Sequence, residues 1–259
     1  MQCRGTVFSR RAGSPGISRD GGIMKKFFQQ AVSVFKQYKH IVPSILYMIV
    51  YLIWFEWLET HSSAEMQIIH MNADDYIPFC EIFIIPYLLW FVYVAGAILY
   101  FMLKDKEDYC KMCIFLFTGM TVFLVISTFW PNGHHLRPYV MPRDNVFTRM
   151  IGILWQVDTP TNLWPSIHVY NSLGVYFAFL RSRHFDNKKG VKIAAFILSA
   201  SIIASTMFIK QHSVFDVTTA FVLAAIMYTV IYRHDLILSL RLQRGKKKAK
   251  SQMAGNDLN

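Results

Sequence analysis

The sequence predicts an all-α polytopic membrane protein with six transmembrane helices and both termini in the cytoplasm, and three observations carry that expectation. Only 17% of the 259 residues are charged while 54% are hydrophobic, with a mean hydropathy of +0.30; a soluble domain carries roughly 25% charged residues. The apolar residues fall in long charge-free runs separated by short charged ones, the pattern of a chain that crosses a bilayer repeatedly. Lys and Arg are unequally shared between alternate connections, with 23 of the 27 in the segments that share a side with the N-terminus. That bias is the positive-inside rule, and it puts both termini inside.

Taken in order, residues 1–39 form a basic cytoplasmic segment. Its first 23 residues are rich in Gly and Arg without an apolar core, so they are not a signal peptide. They are expected to be disordered, with Met24-Lys25-Lys26 the more natural start. The membrane domain covers 40–233. Its first helix, 41–58, carries one acid, Glu56. An acidic outer loop, 59–81, ends in ADDYIPF, a short interfacial piece. Residues 82–103 (IFIIPYLLWFVYVAGAILYFML) hold no charge and exceed the roughly 20 residues needed to cross as helix. Residues 112–130 repeat the pattern, and after a long outer loop, 131–165, three more helices are expected at 167–180, 193–209 and 213–232.

The tail, 234–259, contains RLQRGKKKAK, read as a juxtamembrane anchor for anionic lipid headgroups and not as a nucleic-acid arm. Cys110 and Cys113 form a CxxC without a second ligand pair, so they are packing thiols and not a zinc site. Trp54, Trp57, Trp90, Trp130, Trp155 and Trp164 mostly fall near helix ends, where an aromatic belt explains them.

Ionisable residues at a membrane boundary mark function, and three outer elements carry them. They are Leu136-Arg137-Pro138 in the long loop, Pro165-Ser166-Ile167-His168 at the fourth helix, and the stretch from Ser205 to Asp216 across the turn between the fifth and sixth. Ser166 is placed to cap its helix, whose free N–H groups and positive dipole end favour an anion. Arg137 can fork onto phosphate oxygens, and Lys210 adds a second cation. His212 and Asp216 stand four residues apart, a spacing that brings carboxylate to imidazole on a helical turn. The same Ser213-to-Asp216 spacing also serves as a capping box. A histidine so oriented can attack phosphorus while a second, His168, protonates the leaving oxygen. The cations and helix ends take the developing charge, so the set calls for no metal or cofactor.

These residues resemble the signature of the type-2 phosphatidic acid phosphatase superfamily, the relatives of vanadium haloperoxidases. That signature runs Lys, six residues, Arg-Pro; then Pro-Ser-Gly-His; then Ser-Arg, five residues, His, three residues, Asp. Arg137-Pro138, Pro165-Ser166-Ile167-His168, and Ser205, His212 and Asp216 match it in order over the last four helices. The resemblance implies that His212 is a nucleophile forming phosphohistidine, Asp216 its orienting partner and His168 the acid. Arg137, Ser166 and Ser205 would hold the phosphate. The chain departs from the signature at Trp130, Ile167 and Thr206, which stand for Lys, Gly and Arg. Lys210 is the expected replacement for the missing arginine, on the same helix face if the helix runs that far. Arg143, His134 and His135 are candidates for the lysine.

A bulky residue between Ser and His is similar to the sphingolipid synthase and inositol phosphotransferase branch. The expected activity is metal-independent hydrolysis of a phosphomonoester or diphosphate lipid on the extracytoplasmic face of the plasma membrane. The alternatives are phosphotransfer to an alcohol, and a non-catalytic lipid-binding or transport protein of the same fold.

Overall fold

The computed structural model describes residues 40–61 and 66–234. The basic N-terminal segment expected over 1–39 lies outside the described residues, as does the tail beyond 234. The chain divides into two units, Met1–Pro43 and Ser44–Asn259, and apart from the first two residues of the first helix everything below lies in the second.

The chain is mostly helical. α1 (Val42–Thr60) is followed by β1 (Gln67–Ile68), α2 (Asn72–Tyr76), a 3-10 turn (Glu81–Phe83), α3 (Ile84–Lys104), α4 (Lys106–Phe129) and β2 (Asn132–Gly133). Then come α5 (Val146–Val157), α6 (Ile167–Arg181), a 3-10 turn (Arg183–Phe185), α7 (Lys189–Phe208) and α8 (Val214–Tyr228), which continues as a π turn over Thr229–Arg233.

Among the described residues, five segments are long and apolar enough to cross a membrane: Val42–Thr60, Glu81–Lys104, Lys106–Phe129, Lys189–Phe208 and Val214–Arg233. On α1, Val50, Leu52 and Ile53 are exposed, an apolar surface of the kind that faces the hydrocarbon of a bilayer. α4 starts six residues earlier than the apolar run because Asp105 caps it, accepting from the N–H groups of Glu107 and Asp108 at 2.7 and 2.9 Å.

The expected fourth span, α6, has 15 residues, about 22 Å at 1.5 Å each. Every residue from His168 to Val175 is buried, so the helix is enclosed on all faces by α3, α4, α7 and α8. The long loop 131–165 contains a helix, α5. Asn145 starts it, accepting from the Thr148 N–H at 3.0 Å.

α4 and α6 approach closely because glycine faces the contact. A Cβ on Gly119 would overlap one edge of the Tyr170 ring, and one on Gly174 would lie 2.6 Å from a Phe115 ring carbon. Tyr170 cannot retreat, since its hydroxyl donates to the Phe115 carbonyl at 2.9 Å in a fully packed core. Gly119→Ala is therefore expected to lower stability by about 1–3 kcal/mol or more. Gly96→Ala, with no atom within 4 Å, is expected to be neutral or mildly stabilising. Thermal denaturation of the two variants in detergent checks the contrast.

Candidate active site at one end of the bundle

The loops after α1 and α4 and the turn between α7 and α8 meet at one end. β1 and β2 pair in parallel there, Gln67 with Asn132 and Ile68 with Gly133. The Asn132 side chain then accepts from the N–H groups of Leu163 and Trp164 at 2.8 and 3.0 Å, which aims the chain into α6. Ser166 caps α6 as expected, accepting from Val169 N–H at 3.4 Å, and its own N–H donates to the Asp216 carbonyl at 3.4 Å. The starts of α6 and α8 are thereby joined.

His168, on the first turn of α6, and His212, just before α8, face each other with Nδ1 and Nε2 3.4 Å apart. Behind His212, Asp216 Oδ2 lies 3.4 Å from Nδ1 and also accepts from Ser213 N–H at 3.0 Å. The expected capping box and the expected His–Asp pair are thus made by one carboxylate. Asp216 Oδ1 and His212 Nδ1 are buried and lack a hydrogen-bond partner among the described residues. The tautomer of His212 that carries its proton on Nδ1, toward the carboxylate, leaves Nε2 with the lone pair, to accept from His168 Nδ1–H. All three residues are buried, Asp216 completely.

Residues that motif reading passed over complete the surroundings. Tyr87 and Trp90 of α3 flank His168 with ring centroids at 4.8 and 4.4 Å, so Trp90 belongs to this cluster and is not a belt residue. Gln211, 1% exposed, joins four elements. Its amide N donates to Tyr87 Oη and Asp158 Oδ2 at 3.3 and 2.8 Å, and its side-chain oxygen accepts from Arg137. Tyr87 also donates to Asp158 at 2.8 Å.

Arg137 further donates to the Trp155 and Asp158 carbonyls at 3.2 and 2.7 Å, and its guanidinium lies 5.3 Å from the Trp155 ring. Burial pushes its pKa down, and nearby Asp158 opposes the shift. The only sequence signal for Gln211 is its place beside His212; that for Tyr87 and Trp90 is i, i+3 spacing on an apolar helix, indistinguishable there from packing.

Two expected phosphate ligands are turned elsewhere. Lys210 stands beyond the end of α7 with φ +56°, so it leaves the helix face on which replacement of the missing arginine depended. Its Nζ donates to the carbonyls of Asp74 and Ile77 at 3.0 and 2.6 Å, tying down the loop after α2. The Ser205 hydroxyl donates to the Ile202 carbonyl at 2.6 Å within α7. Arg143 makes a double contact with Glu81 at 2.9 and 2.8 Å and is not placed at the histidines as the lysine substitute. Asp74 occupies the start of α8, accepting from Ser213 Oγ at 2.6 Å and Val214 N–H at 2.7 Å. The dipole end of α8 is therefore already neutralised by carboxylates.

His134 is buried with Nδ1 accepting from Leu136 N–H at 3.2 Å, so Nε2–H donates to the Gln211 carbonyl at 3.0 Å. Burial is the main cause that lowers its pKa to about 4; the Gln211 bond opposes it, and His212 and Arg137 add to it. The folded value lies below the ordinary 6.5, so the unfolded chain takes up the proton first. Stability is complete above that pH and falls as pH drops toward 4, by about 3 kcal/mol in all. His134→Gln is expected to flatten the loss of melting temperature over that window relative to the unaltered protein.

No family model, curated protein or solved structure matches the chain, so its function is read from this site.

Proposed function

We propose that the chain is a membrane lipid phosphatase of the type-2 phosphatidic acid phosphatase kind, cleaving a phosphomonoester or diphosphate lipid through a phosphohistidine. The observation that carries the reading is the buried line Asp216, His212, His168, with 3.4 Å at each step. His212 Nε2 attacks phosphorus, the bond to the leaving oxygen breaks, and His168, which enters the step as the imidazolium that the bound phosphate's negative charge stabilises, supplies the proton that oxygen needs. His168, now neutral, then takes a proton from water as the water attacks the phosphohistidine; inorganic phosphate leaves and both histidines are restored. Asp216 holds the ring of His212 and offsets its positive charge in the intermediate.

The N–H groups at the start of α6 and the Arg137 guanidinium are the phosphate donors. Arg137 does this by exchanging the Gln211 oxygen for a phosphate oxygen. Near attack needs about 3–3.5 Å from nitrogen to phosphorus, and the acid needs a further 2.6–3.2 Å or so to the leaving oxygen. Substrate binding must therefore separate the His168 and His212 rings, which now touch.

In this reading α6 is a sixth crossing, shielded from lipid by its neighbours, so its shortness is tolerated. Both termini are cytoplasmic and the histidines face the extracytoplasmic side of the plasma membrane. The lipid's chains stay in the bilayer while its phosphate reaches the histidines, and the basic tail meets anionic headgroups. Burial of both histidines limits access of water, which favours a second reading in which an alcohol accepts the phosphorylated headgroup.

Purified protein in mixed micelles tests both. Phosphate release from phosphatidic acid or a polyprenyl diphosphate, unaffected by a chelator, is the expected result. A phosphorylated product formed only when diacylglycerol or inositol is added would select transfer. Absence of turnover with every substrate, with or without acceptor, would leave the non-catalytic alternative.

A further inference from the structure

α5 leaves apolar side chains uncovered. Val146, Ile153 and Val157 are 67, 64 and 79% exposed, and Tyr139 and Val140 just before the helix are more exposed still. The opposite side of the helix is packed, with Ile151 fully buried in a cluster that includes Ile84 and Tyr87 of α3. Those two residues lie inside the membrane-length segment Glu81–Lys104. Counted from Glu81 at 1.5 Å per residue, they are roughly 5–9 Å below its end.

That depth is the one, about 5–10 Å, to which a helix lying in a membrane interface buries its apolar face. Ile82 and Ile85, at the same level of that segment, are also exposed, so a lipid-facing surface is already present at this height. The polar residues on the uncovered side fit an interface too. Arg149 pairs with Asp144 at 2.9 Å, and Arg143 is bound to Glu81, the first residue of the segment. Long guanidinium stems of this kind reach from apolar surface to water.

We infer that α5 is an in-plane interfacial helix that seats Val146, Ile153 and Val157 in the acyl–headgroup boundary of the bilayer leaflet on the histidine side. Tyr139 and Val140 enter beside it. The partner is bilayer lipid, because the packed face of α5 rests on residues that lie below the end of a spanning segment. The seating bears on the candidate site through Trp155, whose carbonyl and ring hold Arg137. It does not depend on the chemistry proposed for the histidines.

Quenching in vesicles tests it. The full chain, with its four cysteines replaced by alanine, receives a single fluorophore at Ile153→Cys or Val157→Cys. A control label is placed at Asp75→Cys, whose side chain is 64% exposed on α2. Each protein is reconstituted in phosphatidylcholine and phosphatidylglycerol vesicles. Lipids brominated near the top of the acyl chain are expected to quench the α5 labels about two-fold or more above the control, with aqueous iodide showing the reverse order. Iodide quenching of the α5 labels equal to the control would overturn the inference. So would shielding from both quenchers, the signature of a second copy on this face. Two labelled positions on successive turns keep the test decisive if one variant does not fold.

Discussion

His212→Ala is expected to abolish phosphate release, with a loss on the order of 10⁴-fold or more, because no neighbouring group can replace the nitrogen that attacks phosphorus. The buried line of Asp216, His212 and His168 leaves one ring nitrogen, Nε2, facing the second histidine, and no other buried imidazole among the described residues is so placed: His134 has both its nitrogens engaged. The loss should fall on kcat with little change in KM, since the ring contributes to bond making and not to holding the lipid. Brief mixing with radiolabelled lipid phosphate should trap a protein-bound label that survives alkali and is released by acid, as a phosphoramidate is, and the alanine variant should trap none. Retained turnover in the alanine variant, with its melting temperature unchanged, would rule out the mechanism.

His168→Ala should cost about 10²–10⁴-fold with an alkyl phosphate, the range for removal of a general acid. The size of that cost should depend on the leaving group. An aryl phosphate, whose phenolate departs without a proton, should lose far less in bond breaking and should show a burst of phenol followed by slow release of phosphate, because return of water to the phosphohistidine still lacks its base. Equal losses with both substrates would mean that the ring acts as packing against Tyr87 and Trp90 and not as an acid.

Much of this is legible in the residues. Charge-free runs mark the apolar helices because the bilayer penalises charge locally, residue by residue. The boundary of α4 escapes a hydropathy reading because its first turn is charged, and a cap made by Asp105 outweighs hydropathy there. α5 is hidden because its 12 residues are too few for a crossing, so a search for membrane-length apolar runs passes over it although Thr148, Arg149, Gly152 and Gln156 gather on one side of the helix. The His212–Asp216 spacing and the Ser166 cap depend on neighbours within one turn, so sequence order alone specifies them.

Contacts between distant segments are another matter. Lys210 is a sound candidate for the lost arginine only on a straight helix, and α7 stops two residues before it. Gln211 carries no motif, yet its amide has room for four partners, and packing of α3, the 131–165 loop and the α7–α8 turn delivers Tyr87, Asp158, Arg137 and His134 to it and to its carbonyl. The sequence by itself determined a helical chain with membrane-length apolar segments, the Ser166 cap and the His212–Asp216 pair, because hydropathy, capping and i, i+4 reach are local. Only the tertiary structure decided which cations are committed to holding loops, which rings flank His168 and where α5 lies. Those depend on the directions in which segments tens of residues apart present their side chains, a property of how the helices pack.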